Sequence, residues 1–318
     1  MRLAVTGASG FCGAAVARAA AAAGMEVVCL GRRPGPGGRH VPWDAARDTP
    51  ELAGVDGVVH LAAAVGDPPP GAAVEAAFRR VNVDGTARLM TAAGGRPVVY
   101  VSSASVYAPG RHERPLTEEH QVGGQRTAYG RTKAEGEALA LAAGAVALRP
   151  RAVYGPGDPH LLPRLRRAVR AGVALLPGPD TTLSLTAVEN LADACLAALA
   201  WPSGAYNIAD ATVYHRDDAV RRVLAALGTP ARLVHVPTGL GYAAASVARV
   251  AGRLRSTPPA LTRYAIDQLA HGVVLDIARA TALGWRPRHD LDGFTAWLRT
   301  VDPVSAPTVP GSDGGSMP

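Results

Sequence analysis

The chain has 318 residues, is 48% hydrophobic and carries a formal net charge of +7 at pH 7. This length and apolar content support one large or two unequal folded domains with a sizeable core. The arginines are scattered and do not form one basic tract. The positive charge therefore favours a phosphate-bearing small molecule over nucleic acid as the anionic partner.

Three cysteines, Cys12, Cys29 and Cys195, lie in apolar sequence without any C-x-x-C pair. This pattern argues against a disulfide framework and against a metal site, and it suits a reducing compartment. The chain opens directly on an apolar run, without the basic and then apolar segments of a secretory signal. We therefore expect a cytoplasmic protein, with a homodimer as one option for its assembly.

The first half of the chain alternates β-rich runs with alanine-rich helical runs. Strands are predicted at 2–7, 26–31, 40–43, 57–63, 97–103 and 145–150, and helices near 12–23, 72–93 and 128–143. Nearly continuous apolar strands separated by helices are typical of a parallel sheet covered on both faces. The pattern predicts a doubly wound α/β domain over residues 1–155.

After residue 155 the predicted strands and helices alternate less regularly. Helices are predicted near 161–171, 189–200 and 215–227, and strands at 205–209 and 232–237. We expect a smaller α/β substrate-binding cap over most of 156–301, with parts of 175–240 returning later strands to the first sheet. The Pro-, Gly- and Ser-rich residues 302–318 are expected to form a disordered tail.

The most apolar late stretch covers residues 239–254. It is shorter than a membrane span and carries Arg249 and Arg253, so no integral membrane span is expected. A core-facing helix is the favoured interpretation, and contact with a membrane surface is the alternative.

The turn between the first strand and the first helix reads "VTGASGFCGAA" and contains Gly7, Gly10 and Gly13. Glycines there permit a tight turn and close backbone approach, and the helix N-terminus offers N–H groups and a positive dipole to a pyrophosphate. This is the context of a Rossmann-type dinucleotide site. The other expected cofactor contacts in this turn are Ser9, Phe11 and Cys12.

Arg32 and Arg33 directly follow the second predicted strand, where an NAD-specific fold usually carries an acidic residue. Guanidinium groups match a 2'-phosphate, so NADP(H) is the preferred cofactor and NAD(H) the alternative. The two arginines could instead form a solvated basic turn. Asp44, in "VPWD", is a candidate acceptor from the adenine amine or a turn-forming residue.

Tyr129 and Lys133 lie four positions apart on the predicted helix at 128–143. Residues with this spacing share a helix face, so a phenol and an ammonium can converge on one ligand. Such spacings also occur by accident on solvated helices, and the pair alone is weak evidence.

Six motifs occur together in this chain in a fixed order. They are T-G-x-x-G-x-x-G at 6–13, "HLAA" at 60–63, "NVDGT" at 82–86, "VSSASVY" at 101–107, Y-x-x-x-K at 129–133 and "LRPRAVYGPGD" at 148–158. In this order and spacing the sequence resembles the extended short-chain dehydrogenase/reductases over roughly residues 2–300. The resemblance implies an NAD(P)-dependent enzyme.

The resemblance implies catalytic roles for three residues. Tyr129 would be the general acid/base, and Lys133 would hold the nicotinamide ribose while lowering the pKa of the tyrosine. Ser103 would hydrogen-bond the substrate oxygen, whereas Ser102 is expected to face the other side of its strand.

Further binding residues follow from the same motifs. The expected cofactor contacts are Leu61, Ala62, Ala63 and Asn82, and the expected substrate contacts are Ser103, Ser105, Tyr154 and His160. Asn82 resembles the family's helix-stabilising asparagine, with a helix cap as the alternative. His160 could equally be a surface histidine after a Gly-Pro turn.

Departures from family patterns narrow the choice of reaction and substrate class. Ala104 and Ser105 stand where sugar-nucleotide dehydratases carry Asp-Glu, and Ala152 and Leu183 stand where epimerases carry Asn and Arg. An anionic nucleotide would lose hydration there with little compensation. The pattern looks more like the branch of 3β-hydroxysteroid dehydrogenases and 2-alkyl-3-ketoalkanoate reductases.

We therefore expect an NADP(H)-dependent ketoreductase or alcohol dehydrogenase for a hydrophobic ketone or secondary alcohol. One alternative is a nucleotide-sugar epimerase or reductase. The other is a non-catalytic NADP-binding sensor, although sensors of this fold often lose the Tyr/Lys pair.

Overall fold

In the computed structural model, which describes residues 1–68, 70–110, 112–159, 161–243 and 263–301, a parallel sheet forms the centre of the fold. Its seven strands are β1 (Arg2–Thr6), β2 (Glu26–Gly31), β3 (Arg39–Pro42), β4 (Gly57–His60), β5 (Val98–Val101), β6 (Val146–Pro150) and β12 (Gly204–Ile208), numbered along the chain. Their order across the sheet is β12-β6-β5-β4-β1-β2-β3. This confirms the predicted doubly wound α/β fold.

Helices cover both faces of this sheet. Helices α1 (Phe11–Ala22) and α6 (Val188–Ala197) pack on one face, and α3 (Gly85–Ala93) and α4 (Ala128–Ala142) pack on the other. Successive residues of β1 therefore enter two different cores: Val5 lies in the first cluster and Ala4 in the second. Burial on both faces explains why the strands are apolar at nearly every position.

The helical segment between β4 and β5 differs from the single helix predicted over 72–93. It consists of α2 (Ala72–Arg79), a π-helical turn (Arg80–Asp84) and α3. A π-helical turn inserts one extra residue, and such insertions are frequent at functional sites. Asn82 lies inside this turn and is 1% exposed, so long-range contacts of its side chain decide the local geometry.

The remaining strands and helices lie outside the central sheet, and the assignment of most of them to a substrate-binding cap stays a prediction. They are β7 (Val153–Tyr154), α5 (Leu161–Ala168), β8 (Val169–Arg170), β9 (Val173–Pro177), β10 (Thr182–Leu183), β11 (Thr186–Ala187), β13 (Tyr214–His215), α7 (Arg216–Ala226), β14 (Arg232–Val236), α8 (Arg263–Ala270), α9 (Ala278–Ala282) and α10 (Leu291–Thr300). β14, β9 and β8 form a small sheet. The cap has a core of its own that includes Tyr154, Leu183 and Phe294.

The helix expected over 161–171 is too long. Helix α5 ends at Ala168, and β8 and β9 then pair as a hairpin in which Arg170 faces Val173. The two turn residues, Ala171 and Gly172, have φ values of 49° and 72°. Positive φ at both positions is the geometry of a type I' hairpin turn, which the helical pattern of the sequence does not reveal.

Three of the sequence predictions cannot be compared with the structure. The predicted tail at 302–318, residue His160 and the part of the 239–254 stretch from residue 244 onward lie outside the described residues.

A buried ion pair joins α4 to β6. Arg149 Nη2 lies 2.5 Å from Glu137 Oε1, and the two side chains are 4% and 3% exposed. Arg149 Nη1 also donates to the hydroxyl of Tyr107 over 3.0 Å. The pair holds α4 one turn beyond Lys133.

We expect Glu137→Ala to lower the free energy of unfolding by about 3–5 kcal/mol, because it leaves the guanidinium of Arg149 buried without its counter-charge. Urea unfolding measures this loss. The matched control on the same helix is Glu135→Ala, because Glu135 is 45% exposed and pairs with Arg79 at the surface. The control should cost less than about 1 kcal/mol, and equal losses would contradict a structural role for the buried pair.

Candidate active site

The turn between β1 and α1 has the shape of an anion site. Gly7 has a φ of 68°, which favours glycine. A Cβ on Gly13 would lie 2.2 Å from the carbonyl oxygen of Gly7. Gly10 caps α1 without a side-chain hydrogen bond, and the first turn of the helix carries no acidic residue. The N–H groups and dipole of α1 can therefore face a pyrophosphate, so these residues fit the predicted dinucleotide.

A buried polar pair holds the loop after β4 beside this turn. Thr6 Oγ1 accepts N–H hydrogen bonds from Leu61 (3.0 Å) and Ala62 (2.9 Å) and lies 2.8 Å from His60 Nδ1. His60 Nε2 lies 3.2 Å from Thr86 Oγ1. Burial, with a smaller effect of the Lys133 charge, lowers the pKa of His60 to about 3. His60 is therefore neutral and fixes the segment that contains Ala62 and Ala63.

His60 has a structural role that the sequence reasoning missed. The sequence feature that could have indicated this role is the histidine of "HLAA". It lies in an otherwise apolar strand, and a histidine buried there needs polar partners.

The loop that carries Arg32 and Arg33 lies against the same turn. A Cβ on Gly35 would lie 2.7 Å from Ala8 Cβ, and Cys29 Sγ donates to the carbonyl of Gly37 over 3.2 Å. Both arginine side chains are exposed. The loop that carries the two arginines therefore lies near the glycine turn, and contact of their guanidiniums with a 2'-phosphate stays a prediction.

Asp44 forms a turn. Its Oδ1 accepts the N–H of Ala46 over 2.9 Å, which is the turn-forming role considered from the sequence. Contact with adenine stays a prediction.

Helix α4 brings Tyr129 and Lys133 to the end of β5. Thr127 caps the helix by accepting the N–H of Gly130 over 3.0 Å. Lys133 is 3% exposed, and its Nζ donates to the carbonyl of Val101 over 2.6 Å. Nζ also lies 4.1 Å from the centroid of the Tyr100 ring, a cation–π distance.

Electrostatics supports the convergence of these residues. Burial lowers the pKa of Lys133 to about 7, against an opposing effect of Glu137. Burial also raises the pKa of Tyr100, and the charges of Glu137 and Tyr129 raise it further. Tyr129 is thus close to Tyr100, the residue over which Lys133 lies. Tyr129 is only partly buried, so a ligand can reach it.

Ser103 lies on the turn that follows β5. It caps the 3-10 turn Ala104–Val106, and its Oγ accepts hydrogen bonds from Ser105 N (3.2 Å) and Ser105 Oγ (3.0 Å). With both lone pairs engaged, the hydroxyl proton of Ser103 can be donated to a ligand. A Cβ on Gly130 would lie 3.1 Å from the carbonyl oxygen of Ser105, so the start of α4 packs against this turn.

Ser102 differs from Ser103 in burial. Ser102 is 3% exposed, and its Oγ is enclosed without a hydrogen-bond partner among the described residues. Ser103 is partly exposed. Ser103 is therefore the serine that a substrate can reach, and its catalytic role stays a prediction.

Asn82 joins the loop after β4 to α4. Its Oδ1 accepts the N–H of Ala64 over 2.7 Å, and its Nδ2 donates to the Ala64 carbonyl (3.1 Å) and to Thr132 Oγ1 (2.9 Å). Thr132 precedes Lys133 on the helix. Asn82 thus acts as a buried clamp inside the π-helical turn and does not cap a helix end.

Two residues expected at the substrate end make hydrogen bonds within the protein. Tyr154 is 1% exposed, and its hydroxyl donates to Asp210 Oδ2 over 2.6 Å. This burial in the cap core does not favour direct contact between Tyr154 and substrate. Ser105 is partly exposed, but its hydroxyl donates to Ser103.

The described residues contain no group of three His, Cys, Asp or Glu side chains arranged to hold a metal ion. Within the same part of the chain, no helix has the length and apolar sequence needed to cross a bilayer.

Comparison with known proteins gives three kinds of match. Residues 3–209 match the NAD dependent epimerase/dehydratase family. The chain is 30% identical over 304 residues to the 2-alkyl-3-oxoalkanoate reductase of Stenotrophomonas maltophilia (strain K279a), over 85% of this chain and 89% of that protein. Among solved structures, MoeE5 in complex with UDP-glucuronic acid and NAD is 26% identical, with a TM-score of 0.70 over 93% of this chain and 97% of that chain.

A second relative matches along nearly the whole chain. It is the 4-hydroxy-2-methyl-3-oxo-4-farnesyl-3,4-dihydroquinoline-1-oxide ketoreductase of Stigmatella aurantiaca, which is 29% identical over 338 aligned positions. The alignment covers 98% of this chain and 99% of that protein.

We expect Gly13→Ala to weaken NADPH binding by at least about tenfold, or 1.4 kcal/mol, because the new Cβ would meet the Gly7 carbonyl and displace the turn. Quenching of tryptophan fluorescence on titration with NADPH measures the affinity, and thermal unfolding checks the fold. Gly71→Ala is the control, because no atom lies within 4 Å of a Cβ built there. Wild-type affinity in a folded Gly13→Ala protein would remove this turn from the cofactor site.

Proposed function

Since the chain belongs to the NAD dependent epimerase/dehydratase family, we propose that it is an NADP(H)-dependent ketoreductase acting on hydrophobic ketones. Its relatives include named reductases, and the chain is an NAD(P)-dependent oxidoreductase of the extended short-chain type. The observation that most supports the proposal is that α4, which carries Tyr129 and Lys133, packs against the end of β5 and the Ser103 turn. In the reverse direction the same site would oxidise a secondary alcohol.

The residues present fit the reduction of a carbonyl group. A bound reduced nicotinamide would supply the hydride that adds to the carbonyl carbon. Tyr129 donates its phenolic proton to the carbonyl oxygen, and Ser103 donates a hydrogen bond to the same oxygen while negative charge develops there. Lys133 would hold the nicotinamide ribose, and in its protonated form it stabilises the phenolate that proton donation leaves on Tyr129.

The preference for NADP(H) is supported by the exposed guanidiniums of Arg32 and Arg33. The loop that carries them packs on the glycine turn through Gly35 and Ala8. NAD(H) is the alternative cofactor, and one solved relative contains NAD.

The substrate class is supported by the names of the relatives and by two side chains of this protein. The two reductases are named for substrates that carry an alkyl or a farnesyl group. Leu183 is 8% exposed in the cap core, and Ala152 carries no polar group. The positions that would hold a nucleotide diphosphate are therefore apolar.

A nucleotide-sugar epimerase or reductase is the second candidate, because MoeE5 has been solved with UDP-glucuronic acid. The discriminating experiment follows NADPH oxidation with alkyl ketones, steroid ketones and β-keto compounds. With UDP- and dTDP-sugars as the contrast panel it also follows product formation by chromatography, because epimerisation consumes no NADPH. Turnover confined to the sugar nucleotides would favour the second candidate over the ketoreductase proposal.

We also propose a cytoplasmic location, because the free thiols Cys12, Cys29 and Cys195 suit a reducing compartment. A homodimer is one option for the assembly.

Tyr129→Phe should lower kcat by at least about 100-fold, because it removes the proton donor, and it should leave the Kd for NADPH within about twofold of wild type. Steady-state kinetics and a cofactor titration measure the two effects. Tyr206→Phe is the matched control, since that hydroxyl donates to the carbonyl of Pro202, away from the predicted cofactor and substrate groups. Undiminished turnover of Tyr129→Phe would refute the proposed acid/base.

The double substitution Arg32→Ala and Arg33→Ala should raise the Kd for NADPH by at least about tenfold, because it removes charge-assisted hydrogen bonds to the 2'-phosphate. The Kd for NADH should stay within about twofold. Arg39→Ala, at an exposed position of β3, provides the control. Tighter binding of NADH than of NADPH by the wild-type protein would contradict this assignment.

A further inference from the structure

One surface of the molecule, away from the central sheet, displays five arginines. They lie on α5, on β8, which follows α5 directly, and on β14: Arg164, Arg166, Arg167, Arg170 and Arg232. All five are exposed, and none forms an ion pair with another residue in the described part of the chain. The sequence contains no Asp or Glu at 159–179 or at 219–266. The positive charge of this surface is therefore not neutralised by its own elements.

The leucines of α5 orient its arginines. The three leucines pack against the core that includes Tyr154 and Phe294, and they are Leu161, Leu162 and Leu165. With about 3.6 residues per turn, they fill one stripe about 100° wide on the helix. The three arginines of α5 lie outside this stripe. Burial of the leucines therefore turns the charged side of the helix toward solvent.

The other two arginines lie on one face of the small sheet. Arg170 pairs with Val173 of β9, and Val173 pairs with Arg232 on its other side. Residues directly opposite one another in neighbouring strands point to the same face, so both arginines flank Val173. Their Cα atoms are about 10 Å apart, which is two interstrand spacings, and the Cα of Arg167 is at most about 11 Å from that of Arg170. These separations are close to the Debye length of about 8 Å at physiological ionic strength, so the charges act on a nearby anionic surface together.

Two exposed leucines lie along the same face of the sheet. Leu175 is on this face of β9 and is 59% exposed. Leu240 is 63% exposed, and its neighbour Gly241 approaches Pro177, the next residue of β9 on this face. A Cβ built on Gly241 would lie 3.7 Å from the Cβ of Pro177. With Val65, which is 60% exposed, the two leucines are the three most exposed large hydrophobic side chains of the described chain.

Unpaired arginines next to exposed leucines fit an anionic lipid bilayer. The negative potential of such a bilayer attracts each arginine near its surface, and leucine side chains can enter the boundary between headgroups and acyl chains. Nucleic acid is also anionic, but proteins that bind single strands add aromatic side chains on which bases stack. Residues 161–179 and 229–241 contain no Phe, Trp or Tyr. The composition of this surface therefore favours lipid.

We propose that this surface docks the protein on the face of a bilayer that contains anionic phospholipids. We call it the arginine face, and its residues are Arg164, Arg166, Arg167, Arg170, Arg232, Leu175 and Leu240. The arginines bind lipid phosphates, and the two leucines insert beneath the headgroups, so binding is peripheral and reversible. The inference goes beyond the proposed reaction and uses none of its residues. Under the ketoreductase proposal, docking would bring the predicted cap to the phase in which hydrophobic ketones dissolve.

Cosedimentation of the full-length protein with vesicles tests the charged part of this surface. Wild type should bind vesicles of phosphatidylcholine and phosphatidylglycerol in equal amounts, should be released by high salt, and should not bind pure phosphatidylcholine. Arg166→Gln combined with Arg167→Gln should lower the partition coefficient at least about tenfold, because two attractive charges are lost. The matched control is Arg18→Gln combined with Arg39→Gln, at exposed positions of α1 and β3. It removes the same net charge and should change partition less than about twofold.

The apolar part of the surface has a test of its own. Leu175→Ser should lower partition onto the mixed vesicles at least about threefold, because the leucine side chain no longer transfers from water to the lipid. Val65→Ser is the control, since Val65 is equally exposed but lies outside the arginine face, and it should leave partition unchanged. Thermal unfolding checks that each variant is folded, and every substituted side chain is exposed.

Four outcomes would overturn the docking surface. They are no binding of wild type to the mixed vesicles, equal binding to pure phosphatidylcholine, an equal loss in the Arg18 and Arg39 control, and binding of a single-stranded oligonucleotide in place of vesicles. An equal loss in the control would assign binding to net charge alone, and the last outcome would favour nucleic acid. None of these results bears on the ketoreductase proposal, which NADPH oxidation without vesicles tests.

Discussion

The buried ammonium of Lys133 constrains the rest of the site. Its Nζ donates to the Val101 carbonyl over 2.6 Å and lies 4.1 Å from the centroid of the Tyr100 ring. The surrounding apolar core removes most of the hydration of this group, so burial lowers its pKa to about 7. Only a narrow range of positions of α4 preserves both contacts. The helix that carries Tyr129 is therefore held at one height over the end of β5, where Ser103 begins its turn.

Two buried clamps extend this constraint to the predicted cofactor side. Gly136 lets α4 approach the π-helical turn so closely that a Cβ would lie 2.3 Å from the carbonyl oxygen of Asn82, and the Asn82 side chain then bonds both Thr132 and Ala64. Thr6, with neutral His60, holds the start of the same loop beside the glycine turn. The glycine turn, the loop after β4 and α4 are thus aligned before any ligand binds, which lowers the cost of positioning a dinucleotide.

The proposed substrate side contains few polar groups at the positions compared with epimerases. Tyr154 and Leu183 lie buried in the core of the predicted cap. Ala152 has a left-handed backbone and lacks the side-chain amide that epimerases usually carry at this position. Under the proposed ketoreductase function, these groups suit a hydrophobic substrate better than a nucleotide diphosphate.

The sequence alone determined the fold class, because strands buried on both faces must be apolar throughout and the linking helices leave their own periodicity. It also placed Tyr129 and Lys133 on one helix face, since that relation is local. Tertiary structure decided what depends on distant partners. The π-helical turn at Asn82 depends on Ala64 and Thr132, the role of His60 depends on Thr6 and Thr86, and the burial of Tyr154 depends on Asp210. The end of α5 at Ala168 likewise follows from pairing with β9. Local patterns carry no information about such contacts, because each partner is brought near only when the whole chain has packed.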